Sequence, residues 1–166
     1  MKEIKVKYFS NDYEKLERID GEKSDWIDLR VDSIISTTRK SILFDNVVEK
    51  IKPDTISYQA GDILFLGLGI AMELPDGYEA HIVPRSSMFK NTGFLLTNGM
   101  GIIDNSYSGN DDEWKAMVYC TRDGIINRHD RLFQFRIIEK QPEINFKEVD
   151  KLEGKNRGGY GSTGIK

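Results

Sequence analysis

Residues 62–84 read DILFLGLGIAMELPDGYEAHIVP, and this stretch indicates the fold class. It contains two short runs rich in Ile, Leu, Phe, Tyr and Val, which are residues that favour β-strands. The runs are separated by Pro75-Asp76-Gly77, a tripeptide typical of a turn. Two short apolar runs on either side of a turn predict neighbouring β-strands.

The same pattern recurs along most of the chain. Further short apolar runs with turn signals between them are IKVKYF (4–9), WIDLRV (26–31), WKAMVYC (114–120) and DRLFQFRII (130–138). Many short strands with few helical segments predict an all-β sandwich, barrel or jelly roll. One short helix is predicted at SSMFKNTG (86–93), with Ser86 or Ser87 as its N-cap and Gly93 at its end.

Residues 36–60 interrupt this pattern. The segment reads STTRKSILFDNVVEKIKPDTISYQA and shows neither the two-residue nor the 3.6-residue period of a regular element. We therefore expect an insertion with a helix or hairpin of its own.

Bulk properties limit the function classes. A chain of 166 residues is long enough to bury one core without disulfides, and its single cysteine, Cys120, lies in a strand pattern and is expected to be buried and unreactive. No apolar run approaches membrane-spanning length, and MKEIKVKYFS lacks the apolar region of a secretory signal. The net charge of −3, without a basic block, disfavours stable nucleic-acid binding. These properties predict a cytoplasmic protein.

One polar cluster directly follows a predicted strand. VPRSSMF (83–89) places an arginine and two hydroxyl groups where backbone N–H groups at a helix start also face outward, which suits an anion. An ordinary helix cap with a surface arginine accounts for the same residues.

Two further polar clusters allow similar alternatives. In NGMGIIDNSYSG (98–109), a hairpin could bring together Asn98, Asp104 and Tyr107, although an Asx turn explains Asp104 equally well. In HDRLFQF (129–135), Gln134 stands between two phenylalanines and should face the opposite side of its strand.

Other candidate residues point to structural roles. His81 and His129 lack partners at metal-ligand spacing, and GLGIAM carries only part of a dinucleotide-binding fingerprint inside a strand pattern. Trp26 and Trp114 are expected in the core or at an interface.

The order of the motifs is more specific than any one of them. WIDLRV, PRSS, NGMGIIDNSY, HDRLFQF and, at 157–164, RGGYGSTG resemble in this order the five motifs of the homotrimeric dUTP diphosphatase (dUTPase) family. AMELPDGYEAHIVPRSS (71–87) is also similar to the family. The resemblance extends from Trp26 to Gly164 and is closest to the enzymes of Gram-positive bacteria and their phages.

The resemblance implies a fold and a reaction. It implies a jelly roll, a distorted β-barrel, over residues 1–153, and a flexible arm over 154–166 that closes over the triphosphate bound at a neighbouring subunit. It also implies a homotrimer with shared active sites that uses Mg²⁺ to hydrolyse dUTP to dUMP and pyrophosphate.

The resemblance further implies residue roles. Asp104 would orient and deprotonate the attacking water. Asp28 and Gln134 would hold Mg²⁺ through water, without direct protein ligands to the metal, and Gln134 would also hold the α-phosphate directly or through water. The implied substrate-binding residues are Arg85, Ser86, Ser87, Asn98, Gly99, Met100, Ile103, Tyr107, Lys155, Arg157, Tyr160, Gly161, Ser162 and Thr163.

Each substrate contact has an implied task. Asn98 and adjacent backbone would read the uracil, and Tyr107 would leave no room for a 2′-hydroxyl. Tyr160 would stack on the base, and Ser162 and Thr163 would bind the γ-phosphate. Either Lys155 or Arg157 would meet the γ-phosphate, because the tail departs from the usual RGxGGFGS form.

Three alternatives remain at this point. A dCTP deaminase shares the fold but needs a catalytic glutamate after the pocket turn, where Glu113 is the nearby candidate. A nucleotide-gated interaction protein and an inactive jelly-roll scaffold are the others. The acidic segment NDDEWK (110–115) and the insertion at 36–60 would alter subunit contacts in any of them.

Overall fold

The structure, a computed structural model, describes residues 3–17, 24–38, 50–156 and 158, with only the backbone at 36–38. The strands in this part of the chain are Lys5–Tyr8 (β1), Ile27–Arg30 (β2), Ser33–Thr38 (β3), Thr55–Tyr58 (β4), Ile63–Gly67 (β5), Ile70–Glu73 (β6), Tyr78–Pro84 (β7), Phe94–Leu96 (β8), Gly101–Asp104 (β9), Lys115–Cys120 (β10), Gly124–Asn127 (β11) and Arg131–Glu139 (β12). One helix, α1, extends over Met88–Thr92.

Two four-stranded antiparallel sheets form the framework. One has the strand order β3-β5-β10-β8 and the other β2-β12-β7-β9, while β1 pairs with β6 and β4 pairs with β11. Neighbouring strands in these sheets are distant in sequence, as in a jelly roll. The all-β prediction with one short helix is confirmed.

The core lies between the sheets and follows the two-residue period of the strands. Leu64 and Leu66 on β5 are fully buried, as are Phe133 and Phe135 on β12. The ring of Trp114 meets the ring of Phe135 edge-on, with centroids 5.1 Å apart. Burial of large apolar side chains from both sheets is the main source of stability in such a fold.

Several local predictions are confirmed. The helix has Ser87 as its N-cap and ends at Gly93, which adopts the left-handed conformation with φ 74°. Cys120 is buried, and burial raises the pKa of its thiol to about 12, so the thiol is unreactive.

Trp114 belongs to the core. No helix among the described residues is long and apolar enough to cross a membrane; the cytoplasmic location stays a prediction.

The prediction for residues 36–60 is wrong at both ends of that segment. Residues 36–38 continue β3, Ile51 forms a bridge with Ile34, and β4 pairs along its whole length with β11. These parts therefore belong to the sheets. Residues 39–49 lie outside the described part of the chain.

The run DILFLGLGIAMEL forms two strands because its pairing partner changes at Leu68 and Gly69. Before this point β5 pairs with β10 and β3, and after it β6 pairs with β1. Gly69 has φ 72°, a conformation that glycine adopts readily. A Cβ atom there would lie 2.6 Å from the ring of Tyr13.

The close packing at Gly69 gives a stability prediction. Gly61 is a matched control, since it also has a positive φ (90°) but no atom within 4 Å of a built Cβ. Both alanine variants lose about 1–2 kcal/mol from the left-handed backbone. Only Gly69→Ala adds overpacking against Tyr13, which typically costs about 1–3 kcal/mol. We therefore expect Gly69→Ala to lower the free energy of unfolding further than Gly61→Ala in urea denaturation at one protein concentration; equal values would contradict this.

Candidate active site

A polar row crosses the outer face of the sheet formed by β2, β12, β7 and β9. Gln134 on β12 is directly opposite Asp28 on β2 and Val83 on β7. Phe133 and Phe135 point into the core, so the intervening Gln134 faces outward, as the sequence predicts. The Gln134 amide Nε2 donates to the carbonyl of Pro84 at 3.2 Å.

A β-bulge brings an additional arginine to this face. The pairing of β12 with β2 shifts register between Arg131 and Phe133, and Leu132 and Phe133 are consecutively buried. A bulge reverses the facing of the residues beyond it. Arg131 therefore lies on the same side as Gln134, where strict alternation would point it into the core.

Asp28 is held between two guanidinium groups. Its Oδ1 lies 2.8 Å from Nε of Arg85, and its Oδ2 lies 3.1 Å from Nη1 of Arg131. Arg85 is also fixed through its backbone N–H, which donates to the carbonyl of Leu132 at 3.0 Å. Two cations and one carboxylate leave this cluster with a local positive charge, which suits an anion.

A cavity of about 540 Å³ opens over this cluster. Asp28, Arg85, Ser86, Arg131 and Gln134 line one side of it. The other lining residues are Tyr13, Glu14, Lys15, Leu16, Glu17, Ser24, Trp26, Ile27 and Arg30.

The N-terminal side of the cavity was not predicted from the sequence. Trp26, expected in the core or at an interface, is half-buried and lines the cavity. Arg30 forms an ion pair with Glu14 and donates from Nη1 to the carbonyl of His129 at 3.1 Å. Arg131 belongs to the motif HDRLFQF, but its outward orientation depends on a β-bulge. The bulge arises from strand pairing, so the sequence of the motif does not predict it.

Asp104 lies at the end of β9 in a second polar cluster. It begins a turn in which Tyr107 N–H donates to its carbonyl at 3.2 Å, and Ser106 N–H donates to its Oδ1 at 2.7 Å. The Asx turn foreseen as an alternative is therefore present, and it leaves the carboxylate exposed. Hydrogen bonds from the Ser106 hydroxyl and N–H hold the pKa of the Asp104 carboxyl below its ordinary value, so it is ionised at neutral pH.

Asn98, Gly99 and Met100 lie in the turn before β9, and all three are exposed. They are separated from Asp104 by the length of β9, about 10 Å for three residue steps. This separation is about the length of a nucleoside, and it is too long for a direct hydrogen bond between the Asn98 and Asp104 side chains. Strand β9 pairs with β7, and β8 pairs with β10 in the other sheet, so the hairpin that the sequence predicted is not formed: the turn at Asn98 connects the two sheets.

Ile103 contributes backbone to this surface. Its side chain is half-buried and packs against the core, and its predicted substrate contact stays a prediction. Within the described part of the chain, however, β9 is an edge strand. An edge strand leaves every second backbone N–H and C=O group open to a ligand.

Tyr107 is half-buried against the core beside Asp104. Its hydroxyl donates to the carbonyl of Glu113 at 3.1 Å, and Lys115 Nζ lies 3.4 Å from the same hydroxyl. These contacts fix the ring in one orientation. A fixed ring next to a ligand surface acts as a rigid wall.

The two polar clusters are far apart on one chain. Asp28 lies in the row with Gln134 and Val83, whereas Asp104 is opposite Glu79. Val83 and Glu79 are separated by four steps along β7, about 13 Å, and β2 and β9 by three strand spacings, about 14 Å. Asp28 and Asp104 are therefore separated by roughly 19 Å in an untwisted sheet.

Comparison with known proteins identifies the family. A family model described as dUTPase matches residues 50–164, more than half of the chain. The chain belongs to the dUTPase family. A prophage-derived deoxyuridine 5′-triphosphate nucleotidohydrolase of Bacillus subtilis is 42% identical over 164 residues, covering 99% of each chain. The corresponding protein of Anaplasma marginale is 38% identical over 100 residues, covering 58% of this chain and 65% of its own.

Solved dUTPase structures share the fold. A single-residue variant of the dUTPase of Staphylococcus bacteriophage 80alpha, in a structure with dUpNHpp, superposes with a TM-score of 0.68 at 15% identity, covering 99% of this chain and all of its own. The dUTPase of Streptococcus mutans gives a TM-score of 0.60 at 17% identity, covering 84% and 98%. At these identities the similarity establishes the jelly roll alone.

The dUTPase motif in the tail falls mainly outside the described residues. Lys155 is described and exposed. Arg157, Tyr160, Gly161, Ser162 and Thr163 are not described, so their roles stay predictions. Ser86 is exposed next to Arg85, and Ser87 caps the helix without a side-chain hydrogen bond.

The structure removes the basis for a deaminase-like role of Glu113. This carboxylate is buried: Oε1 accepts from Gly69 N–H at 2.9 Å, and Oε2 pairs with Lys50. A buried carboxylate held by two donors maintains the fold and is closed to a substrate.

His129 has spatial partners that its sequence neighbours do not show. It lies with Asp12 and Asp32 in a group close enough together to hold a metal ion. Arg128, however, donates to both Asp12 oxygens at 2.6 and 2.9 Å, and Lys52 Nζ lies 3.1 Å from Asp32. These two cations supply the balancing charge, so the group is a structural ion-pair network.

Magnesium, which the dUTPase resemblance implies, fits the Asp28 cluster only through water. Mg²⁺ prefers oxygen ligands and keeps several waters when it binds with substrate phosphates. Asp28 and Gln134 present a carboxylate and an amide to one cavity. Both Asp28 oxygens, however, are paired with Arg85 and Arg131, which disfavours direct coordination.

Proposed function

We propose that this chain is a dUTP diphosphatase that hydrolyses dUTP to dUMP and pyrophosphate by attack of water on the α-phosphorus. The observation that carries the proposal is the presence of two complementary clusters. The edge strand β9 offers open backbone and a carboxylate, Asp104, while the cavity over Asp28 offers cations for a triphosphate. Each cluster alone lacks half of the required chemistry.

The cationic cavity would bind the triphosphate by exchanging ion pairs. Arg85 and Arg131 now pair with Asp28, and phosphate oxygens would compete for both guanidinium groups. Asp28, released from them, and Gln134 would then hold waters of a Mg²⁺ that neutralises phosphate charge in the transition state. Ser86, exposed beside Arg85, would donate to the oxygen that leaves with pyrophosphate.

Asp104 would act as the general base. Its depressed pKa makes it a weak base, so the main contribution would come from orienting the water. Both Ser106 bonds go to Oδ1, which fixes the carboxylate and leaves Oδ2 for the water among the described contacts.

Strand β9 and the turn before it would provide specificity. Asn98 and the open backbone of the edge strand would read the uracil edge, about one strand length from Asp104. The fixed ring of Tyr107 would lie against the deoxyribose, and a 2′-hydroxyl would clash with it. A rigid ring excludes the ribonucleotide more strongly than a mobile one.

The separation of the clusters supports a homotrimer with shared sites. A single nucleotide does not bridge about 19 Å from Asp104 to Asp28 across a rigid sheet. In a closed cyclic assembly, strand β9 of one subunit would face the cavity of the next, and every site would be completed once. The C-terminal arm of residues 154–166 would close over the triphosphate.

Asp104→Asn tests the general base. The amide retains the shape of the side chain but does not accept a proton, so we expect turnover to fall by roughly 10²-fold or more. Binding of a non-hydrolysable dUTP analogue should survive. The matched control is Asp111→Asn, an exposed acid in the segment after the turn, which should hydrolyse dUTP at the wild-type rate. Near-normal turnover of Asp104→Asn, measured as pyrophosphate release, would refute the assignment.

Mixed trimers test the sharing of sites. Asp28→Asn and Asp104→Asn subunits, each of which we expect to be inactive alone, are unfolded together in equal amounts and refolded. If every site takes Asp28 and Asp104 from different subunits, about one quarter of the sites regain both carboxylates. We therefore expect recovery of about a quarter of wild-type activity. Light scattering verifies that the refolded mixture is trimeric. If such mixed trimers recover no dUTP hydrolysis, Asp28 and Asp104 act within one chain.

Deletion of residues 154–166 tests the arm. The segment is rich in glycine and poor in apolar side chains, so its loss should leave the fold and assembly intact. Turnover should collapse, because the γ-phosphate loses its donors and water enters the site. Steady-state dUTP hydrolysis is measured with circular dichroism as the folding control. A folded truncation with full-length activity would exclude a lid function.

A further inference from the structure

The turn that carries Asp104 is tied to the sheet by the next residue. Asn105 occupies the second position of the turn formed by residues 104–107, where a side chain normally extends into solvent. Instead it is half-buried, and its Nδ2 donates to Asp76 Oδ1 at 2.9 Å. Asp76 belongs to the turn between β6 and β7. The position of Asp104 therefore depends on contacts with a different part of the chain.

Lys140 completes this connection from a third segment. Its ammonium donates to Asn105 Oδ1, so the two ends of one amide bind Asp76 and Lys140. The backbone N–H of Lys140 donates to the carbonyl of Gly77 at 2.8 Å, which fixes its position at the end of β12. Lys140 itself is half-buried. An amide with both ends engaged has one favoured orientation.

The charges around Asp104 come from three elements. Glu79 on β7 is opposite Asp104 and places a second carboxylate on the same face of the sheet. Glu79 is bound by His81, whose Nε2 lies 2.6 Å from Oε1. Asp76 in the neighbouring turn adds another negative charge. Lys140 is the cation that faces this acidic group from the end of β12.

We propose that Lys140 is a positioning residue for Asp104: it holds Asn105, fixes the 104–107 turn against the end of the sheet, and supplies positive charge beside the carboxylate. The proposal rests on the function proposed above for Asp104. It adds to the site a lysine that lies outside the motifs quoted for the family resemblance.

The electrostatics of the turn agree with this role. The Ser106 hydroxyl and N–H are the largest causes that lower the pKa of Asp104, and the charge of Lys140 lowers it further. Removal of that charge destabilises the carboxylate relative to the acid, so the pKa must rise. The base would then be protonated over a wider acidic range, and the acid limb of the pH profile of kcat/KM would move to higher pH.

The experiment compares Lys140→Met, which keeps the length of the side chain, with Lys140→Arg, which keeps its charge. Lys5→Met is the matched control, because Lys5 forms an exposed ion pair with Glu73 on β6. The carboxyl carbon of Asp104 is titrated by NMR without substrate and assigned by its loss in Asp104→Asn. Lys140→Met should raise the pKa of Asp104, whereas Lys140→Arg and Lys5→Met should leave it near the wild-type value.

Steady-state kinetics provide the second readout. In Lys140→Met we expect kcat to fall about three- to tenfold through misplacement of the base, with KM for dUTP changed less than kcat. The acid limb should move to higher pH, and Lys140→Arg should restore it. An unchanged titration, kcat and acid limb in folded Lys140→Met would overturn the proposal.

Asn105→Ser removes the amide that Lys140 binds and leaves the lysine unchanged. This variant tests the proposal independently if Lys140→Met does not fold. The Asn105→Ser variant should lower kcat about as much as Lys140→Met does. The double variant should show no larger fall in kcat than the more impaired of the two single variants, because both substitutions break the same Lys140–Asn105 bond. Additive losses, or normal kcat in Asn105→Ser, would contradict the proposal. A wild-type protein that fails to hydrolyse dUTP while its titration responds as expected would refute the proposed function and leave the role of Lys140 intact.

Discussion

The register of β12 is the constraint on which both the core and the candidate site depend. Because side chains alternate along a strand, Phe133 and Phe135 enter the core only if Gln134 faces outward. A slip by one residue would place a phenylalanine in the cavity and an amide in the core. The bulge after Arg131 then adds a cation to the outer face without disturbing the two aromatic side chains. Packing energy thus fixes the position of the polar groups.

The charged side chains at the base of the cavity pair with one another. Asp28 pairs with Arg85 and Arg131, so none of the three ions is left without a partner near the apolar sheet. Since all three are partly exposed, these pairs contribute little to stability and are easily exchanged. A multiply charged phosphate chain is a stronger partner for two guanidinium groups than one carboxylate is. Weak internal pairing is therefore compatible with strong ligand binding.

The sequence predicts the parts of the structure that depend on local pattern. The β-fold, the helix ended by Gly93, the burial of Cys120 and the outward facing of Gln134 all follow from alternation or capping. The pairing of β4 with β11 does not, because it joins residues about 70 positions apart and residues 36–60 lack a clear period. The bulge at Arg131 and the contacts of Lys140 also arise from tertiary packing. The five motifs predict candidate site residues, but the distance between the two clusters that these residues form requires the sheet order.

The wall of the cavity formed by residues 13–17 is anchored by charge as well as by apolar packing. Asp32 is fully buried, accepts from Ser10 at 2.6 Å and contacts Lys52 and Arg128 at 3.1 and 3.2 Å. Burial raises the pKa of Asp32, but the bonds from Ser10 and Lys52 outweigh it and the net pKa is lowered. A lowered pKa in the folded state means that ionised Asp32 stabilises the fold above its unfolded pKa, and that this stabilisation is lost as pH falls through the folded pKa. The network that orders the N-terminal segment over the cavity therefore loses this contribution to stability in acid, because its central carboxylate must be ionised to accept from Ser10 and Lys52.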